Sequence, residues 1–250
     1  FDTLNRLNLY SAGMLALDAE TPPREIYQNF LQKEKWLRTD ADKTEMEEAV
    51  SWFGGLMKET WDTVSHILFV QGCVFSDSSL MPVSMEHAFW LAEEKNSLKD
   101  WDRSKAGILE PEREKLEEVL EEKRAAVDKI SRLWDKTAVA PMGITPERAA
   151  YLRECFWVYK QFAELYEAAV RALFLTRYVL ETDEERSGGY YQKKKAEQEQ
   201  AVADLAVWET RLRKENAESD RIPHTIYTLM DPDRIRCLYR KLREQQEGMQ

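Results

Sequence analysis

Between Thr145 and about Glu181, apolar residues recur at every third or fourth position: Leu152, Phe156, Tyr159, Ala163, Tyr166, Val170, Leu173 and Leu180, with a break at Arg177. This is a heptad seam. A second seam runs beside it through Cys155, Val158, Phe162, Leu165, Ala169, Ala172, Thr176 and Val179. Together they are wider than the single stripe of a surface helix, which predicts neighbours on two sides. No Gly or Pro lies between Glu147 and Glu181, so an unbroken helix reaches roughly 50 Å at its rise per residue.

The flanking segments repeat the helical period. Leu4, Leu7, Met14 and Leu17 predict a first helix, with Gly13 offering a close approach to a neighbour. Thr21-Pro22 predicts a restart, Thr as N-cap and Pro at the first helical position, for a helix carrying Ile26, Phe30 and Leu37 to about Arg38. The same device stands at Glu110-Pro111, Thr145-Pro146 and Asp231-Pro232, each with an acid in the first turn. Met46, Val50, Phe53, Met57, Trp61, Val64 and Leu68 predict a helix from Asp42 to about Val70, and Gly54-Gly55 predicts a kink or tight crossing within it.

Ser84 caps a shorter helix through His87, Trp90 and Leu91. The helix after Pro111, reaching about Val139, is polar over its first half and is expected on the outside. Helices from Tyr190 to about Asn216, with Leu205, Trp208 and Leu212 inward, and from Asp231 to about Gln246, with Ile235, Leu238 and Leu242 inward, complete the pattern. The fold read from this is all-α: an up-and-down bundle of about four long helices with additional shorter helices packed on it. Residues 1–38 form the N-terminal helices, at the junction with a preceding domain, and 39–250 the bundle.

Composition supports that picture. Nine Gly and eight Pro in 250 residues, with 33% charged, suit long solvated helices. The formal charge of -10, with Lys and Arg interleaved among acids, argues against nucleic acid or an anionic membrane as partner. Lys193, Lys194 and Lys195 read as a solvated face. No run of about eighteen apolar residues is present to cross a bilayer. Cys73, Cys155 and Cys237 make neither a disulfide framework nor a zinc site and lean towards a cytoplasmic location; Cys155 reads as a small buried hydrophobe. Trp36, Trp101 and Trp134 read as core, or as partner contacts on their exposed sides. Starting at Phe1 within an amphipathic pattern, the sequence reads as cut from a longer polypeptide.

Catalytic patterns are missing. The residues three before His66, His87 and His224 are Thr63, Ser84 and Arg221, not the Glu of a di-iron bundle. Zincin, nucleophile-elbow, phosphate-loop and dinucleotide motifs are likewise not found. No catalytic residue, metal or cofactor is therefore assigned. Glu117-Glu118 and Glu121-Glu122 read as solvated helix face. One stretch, Gln71 to Val83, is long and nearly uncharged. Its Phe75, Asp77, Ser78 and Ser79, followed by His87 and Trp90, combine an aromatic face with hydrogen-bonding groups, as a carbohydrate edge requires. The same apolar residues would also serve as a cap folded on the bundle end.

Asn8-Leu9-Tyr10-Ser11-Ala12-Gly13-Met14-Leu15-Ala16-Leu17-Asp18 resembles a segment of the α-glucuronidase family of glycoside hydrolases, Asn-x-Tyr-x-x-Gly-Arg-Leu-Ala-Trp-(Asp/Asn). In that family the segment lies at the passage from the catalytic barrel to a C-terminal helical domain. Thr21-Pro22-Pro23-Arg24-Glu25-Ile26 looks like the helix restart that follows it. The sequence departs at Met14, where the family has Arg, and at Leu17, where it has Trp. The family's catalytic carboxylates precede this segment. The resemblance thus implies a non-catalytic accessory domain that supports a preceding barrel in the same polypeptide, with room for a homodimer and for carbohydrate near the 71–83 loop. The alternative is a stand-alone helical interaction or scaffold bundle.

Overall fold

In α6, Pro146–Glu181, the predicted seams turn inward from Phe162 to Val179, where burial spreads to Ala168, Phe174, Leu175 and Tyr178 as well, whereas Tyr159 is exposed and Cys155, Val158 and Leu180 are half-buried. A helix buried on nearly every side becomes the axis of its surroundings. The structure is a computed structural model that describes residues 4–74, 80–95, 107–218 and 230–248. The fold is all-α, a bundle of long helices with shorter ones added. The order is α1 Asn5–Leu17, α2 Pro23–Lys33, α3 Lys43–Leu68, a hairpin of β1 Phe69–Val70 and β2 Cys73–Val74, α4 Met85–Phe89 continued by a π-helical turn Trp90–Lys95, then α5 Arg113–Lys136, α6, α7 Gly189–Glu218 and α8 Pro232–Glu247. Two compact units result, Phe1–Asp62 with Ser131–Trp157, and Thr63–Ile130 with Val158–Gln250.

The first unit is built on aromatic packing. Phe30 of α2 stacks near Phe53 of α3 at 6.1 Å, Trp36 meets Phe53 edge-on at 5.3 Å, and Tyr10 of α1 lies 5.8 Å from Phe30. Trp36 is wholly core, 2% exposed. The tight crossing expected at Gly54-Gly55 falls on Gly54, where a Cβ would stand 3.0 Å from the Tyr27 ring, whereas Gly55 faces nothing within 4 Å. α3 starts with a reciprocal capping box: Glu45 N donates to Asp42 Oδ1 at 2.9 Å and Asp42 N to Glu45 Oε2 at 3.0 Å.

α2 differs from its sequence reading at both ends. Pro23 is its first residue, Pro22 stands at the N-cap without a side-chain cap, and Thr21 Oγ1 donates backwards to Asp18 O at 2.8 Å. At the other end the helix stops at Lys33, short of Arg38. Lys35 turns left-handed (φ 55°), Trp36 N donates to Leu31 O and Lys35 N to Gln32 O, which is a Schellman motif with Lys where Gly is usual. The turn releases Trp36 into the core and lets Leu37 bridge to Ile144.

In the second unit α7 packs along α8, and α4 along α8 as well. Asp231 caps α8 through Asp233 N at 2.8 Å, and Ile235, Leu238 and Leu242 are buried. Thr145 and Pro146 likewise start α6 as the sequence predicts, with Arg148 N 3.4 Å from Thr145 Oγ1. Pro111 lies two residues before α5 rather than in it. The polar first half of α5 is not simply outside, since Leu116, Val119, Leu120 and Lys123 are buried there. The start of the 71–83 stretch is no loop: Gln71 (φ 51°) and Gly72 (φ 81°) form the left-handed turn of the hairpin. Cys73 is buried, Cys155 half-buried and Cys237 exposed.

Candidate functional site

Of the six residues singled out around the 71–83 stretch, His87 and Trp90 are placed; Phe75, Asp77, Ser78 and Ser79 lie outside the described residues. Ser84 Oγ accepts from His87 N at 3.1 Å and starts α4. One turn on, Trp90 begins the π-helical segment, and its ring lies nearly parallel to that of His87, centroids 6.4 Å apart at 21°. Trp90 is 45% exposed. The pair offers a flat aromatic surface.

The charged residues are more informative, because several that the sequence presents as solvated are buried and paired. Lys194 is 4% exposed in its side chain and reaches Glu117 Oε1 at 2.7 Å and Glu197 Oε2 at 2.8 Å. Tyr190 OH donates to the same Glu117 oxygen at 2.7 Å, and Arg113 lies 3.9 Å above the Tyr190 ring while paired with Glu184 at 3.0 Å. Burial and the neighbouring Glu117 push the Tyr190 phenol up, well out of the range of a general base. Burial alone would lower Lys194, but the hydrogen bonds to Glu117 and Glu197 outweigh it and raise it. Burial would raise Glu117, and Lys194 with Tyr190 instead hold it low. Each group is locked in its ordinary charge state, so this cluster ties α5 to α7.

A second cluster explains the break in the α6 seam. Arg177 pairs with Glu93 at 2.6 Å and Glu181 at 2.9 Å, and its guanidinium sits 4.0 Å from the Phe89 ring centre. It anchors the π-helical turn to α6. A third lies at the end of α3, where Lys123, 2% exposed, donates to His66 O at 2.6 Å and to Phe69 O, and pairs with Glu122 at 3.0 Å. Gln71 N in turn donates to Glu122 Oε2 at 2.8 Å.

A further polar feature is open to solvent. Down α6, otherwise apolar here, runs a stripe of Lys160, Glu164, Glu167 and Arg171, spaced four, three and four. Its Glu164, Glu167 and Arg171, with Ala168, form the floor of a groove of about 450 Å³ whose walls are Arg124, Val127 and Asp128 of α5 and Asp204, Val207 and Trp208 of α7. Arg171 Nη2 donates to Asp204 Oδ2 at 2.8 Å, with Glu167 Oε1 3.5 Å from its Nε, and Gln200 holds the other Asp204 oxygen at 2.8 Å. Arg211 lies 4.7 Å from the Trp208 ring centre. Burial pushes the Glu167 carboxyl up, only partly offset by Arg171 and Arg124. Val207 is 67% exposed beside it.

This groove was not read from the sequence. Its signal was a stripe of charge at helical spacing, on positions of α6 that neither apolar seam occupies. Among the described residues no group of three His, Cys, Asp or Glu side chains could hold a metal ion, and no helix is long and apolar enough to cross a membrane. No family model matches the chain, and neither a curated protein nor a solved structure shows significant similarity to it.

Proposed function

We propose that the chain is a non-catalytic helical accessory domain of a carbohydrate-active enzyme, and that α1 is where it docks against a neighbouring domain. The reading is carried by one observation: the helix that bears the resemblance to the α-glucuronidase family is buried only at Leu7 and presents three leucines on its exposed side. Leu7 is buried, whereas Leu9 is 76%, Leu15 42% and Leu17 88% exposed. Ala12, Gly13 and Ala16 are exposed between them, and a Cβ on Gly13 would meet nothing within 4 Å.

At 3.6 residues per turn, Leu15, Ala12, Ala16, Leu9, Gly13 and Leu17 fan over an arc of about 200°, which Asn5, Arg6 and Asn8 interrupt in the first turns. A single docking helix covers a stripe of roughly half that width. A broad surface such as the flank of a barrel matches the arc better, and desolvating three leucines supplies a driving force in the range of several kcal/mol.

The coding sequence upstream of the Phe1 codon tests this. The expected result is roughly 250 or more residues of alternating strand and helix pattern with paired carboxylates at strand ends. A start codon directly before Phe1 would overturn it. The exposed α1 face would then favour the second reading, a free-standing interaction bundle.

A further inference from the structure

We infer that the groove between α5, α6 and α7 is a binding site for a neutral, hydroxyl-rich ligand, a short oligosaccharide being the natural case. Ionised carboxylates only accept and guanidinium groups only donate. Asp128, Glu164, Glu167 and Asp204 stand in one groove with Arg124 and Arg171. Most of these charges are already paired within the chain, Arg171 with Asp204 at 2.8 Å and Glu164 with Lys160, so an ionic ligand finds few unmatched charges on the walls.

A hydroxyl both donates and accepts, so a polyol satisfies both kinds of wall group without bringing a charge of its own. Val127, Ala168, Val207 and Trp208 supply the apolar contact that the C–H faces of a sugar ring need. A space of about 450 Å³ lies in the size range of small-molecule sites.

The inference rests on the proposed function only for the expectation that carbohydrate is at hand; the groove's chemistry stands apart from what lies upstream of Phe1. The experiment is titration of the full 250-residue chain with xylo-, cello- and malto-oligosaccharides, and in parallel with spermidine and glucuronate, followed by NMR shift changes and calorimetry. Saturable binding of a neutral oligosaccharide is expected, weakened at least tenfold in Val207→Lys and in Asp128→Ala. Val207 and Asp128 are both exposed, so both variants should fold, which their circular dichroism would check.

No neutral sugar bound up to about 10 mM, far weaker than a useful site, would overturn the inference, as would binding of spermidine or glucuronate alone. Binding unchanged in both variants would overturn it too, by placing the site elsewhere. A barrel upstream with no sugar bound here would remove the groove site and leave the accessory-domain reading standing; sugar bound with no barrel upstream would do the reverse.

Discussion

Lys123 Nζ donates to the backbone carbonyl of His66 at 2.6 Å, across 57 residues of sequence. The last carbonyls of a helix have no partner within it. Here an ammonium from α5 serves them, reaching Phe69 O as well and pairing with Glu122. Burial pushes the ammonium down, and Glu122 opposes that shift. Lys123→Met keeps much of the stem's volume while removing the charge, and takes the ammonium away from both carbonyls and from Glu122, which still accepts from Gln71 N. It should destabilise the protein by about 2–4 kcal/mol in denaturant unfolding. A loss below about 0.5 kcal/mol would show that water serves these carbonyls as well.

The left-handed Lys35 at the end of α2 carries a strain that Gly lacks. Its Schellman bonds, Trp36 N to Leu31 O at 2.8 Å and Lys35 N to Gln32 O at 3.2 Å, use backbone alone. Lys35→Gly should therefore stabilise by about 0.5–1 kcal/mol, the relief of strain exceeding the added entropy of the unfolded chain. A shift of the denaturation midpoint in the other direction would mean that the Lys35 side chain contributes contacts of its own.

Two glycines should respond with opposite sign to the same substitution. Gly55 lies inside α3 with nothing within 4 Å of a built Cβ, so Gly55→Ala should gain about 0.5–1 kcal/mol. At Gly143 a Cβ would stand 2.5 Å from Glu45 O, which is backbone and cannot turn aside. Gly143→Ala should cost about 1–3 kcal/mol. Thermal unfolding of the two variants side by side gives the comparison.

Glu167 and Glu117 should give opposite pH dependence. For Glu167 the folded carboxyl binds its proton more tightly than the unfolded one, because burial disfavours its charge. Between the ordinary carboxylate value and the raised one, the native state holds more protons, so stability from this group falls as pH rises. Relative to Glu167→Gln, the wild type should gain stability as pH drops from 7 towards 5. Glu117, held low by Lys194 and Tyr190 against its burial, contributes stability that is present above the ordinary carboxylate value and lost as acid protonates it. Parallel unfolding curves for Glu167→Gln and wild type across this range would refute the assignment for Glu167.

On α1, Leu9→Gln with Leu17→Gln should change folding stability by less than about 0.5 kcal/mol, because both side chains are exposed. The double variant should nonetheless bind less of a hydrophobic dye and scatter less light at high concentration. A large loss of stability instead would place these leucines in contacts within the chain.

Most helix starts could be read from short-range chemistry. Thr145-Pro146, Asp231-Pro232 and Ser84 each act as capping residues or helix-starting dipeptides within three residues of their partners. The readings that changed are those where a competing local bond won. Thr21 turns back to Asp18, and a left-handed Lys35 ends α2 before Arg38. At Gln71-Gly72 a two-residue turn folds a hairpin too short to show alternation. The groove was legible only as a stripe of four charged residues outside the two seams of α6.

The sequence by itself determined the all-α class, the length of α6 and the inward faces of α6 and α8, because apolar residues at the helical period bury the same face whatever lies opposite. Tertiary structure alone decided which charges are buried. Lys194 and Lys193 are neighbours of identical chemistry, yet the side chain of one is 4% and of the other 70% exposed. The difference lies in Glu117 and Tyr190, brought to Lys194 by the packing of α5 on α7. Period is a local property, repeated every turn; the partner of a charge is set by a contact scores of residues away, which no local pattern carries.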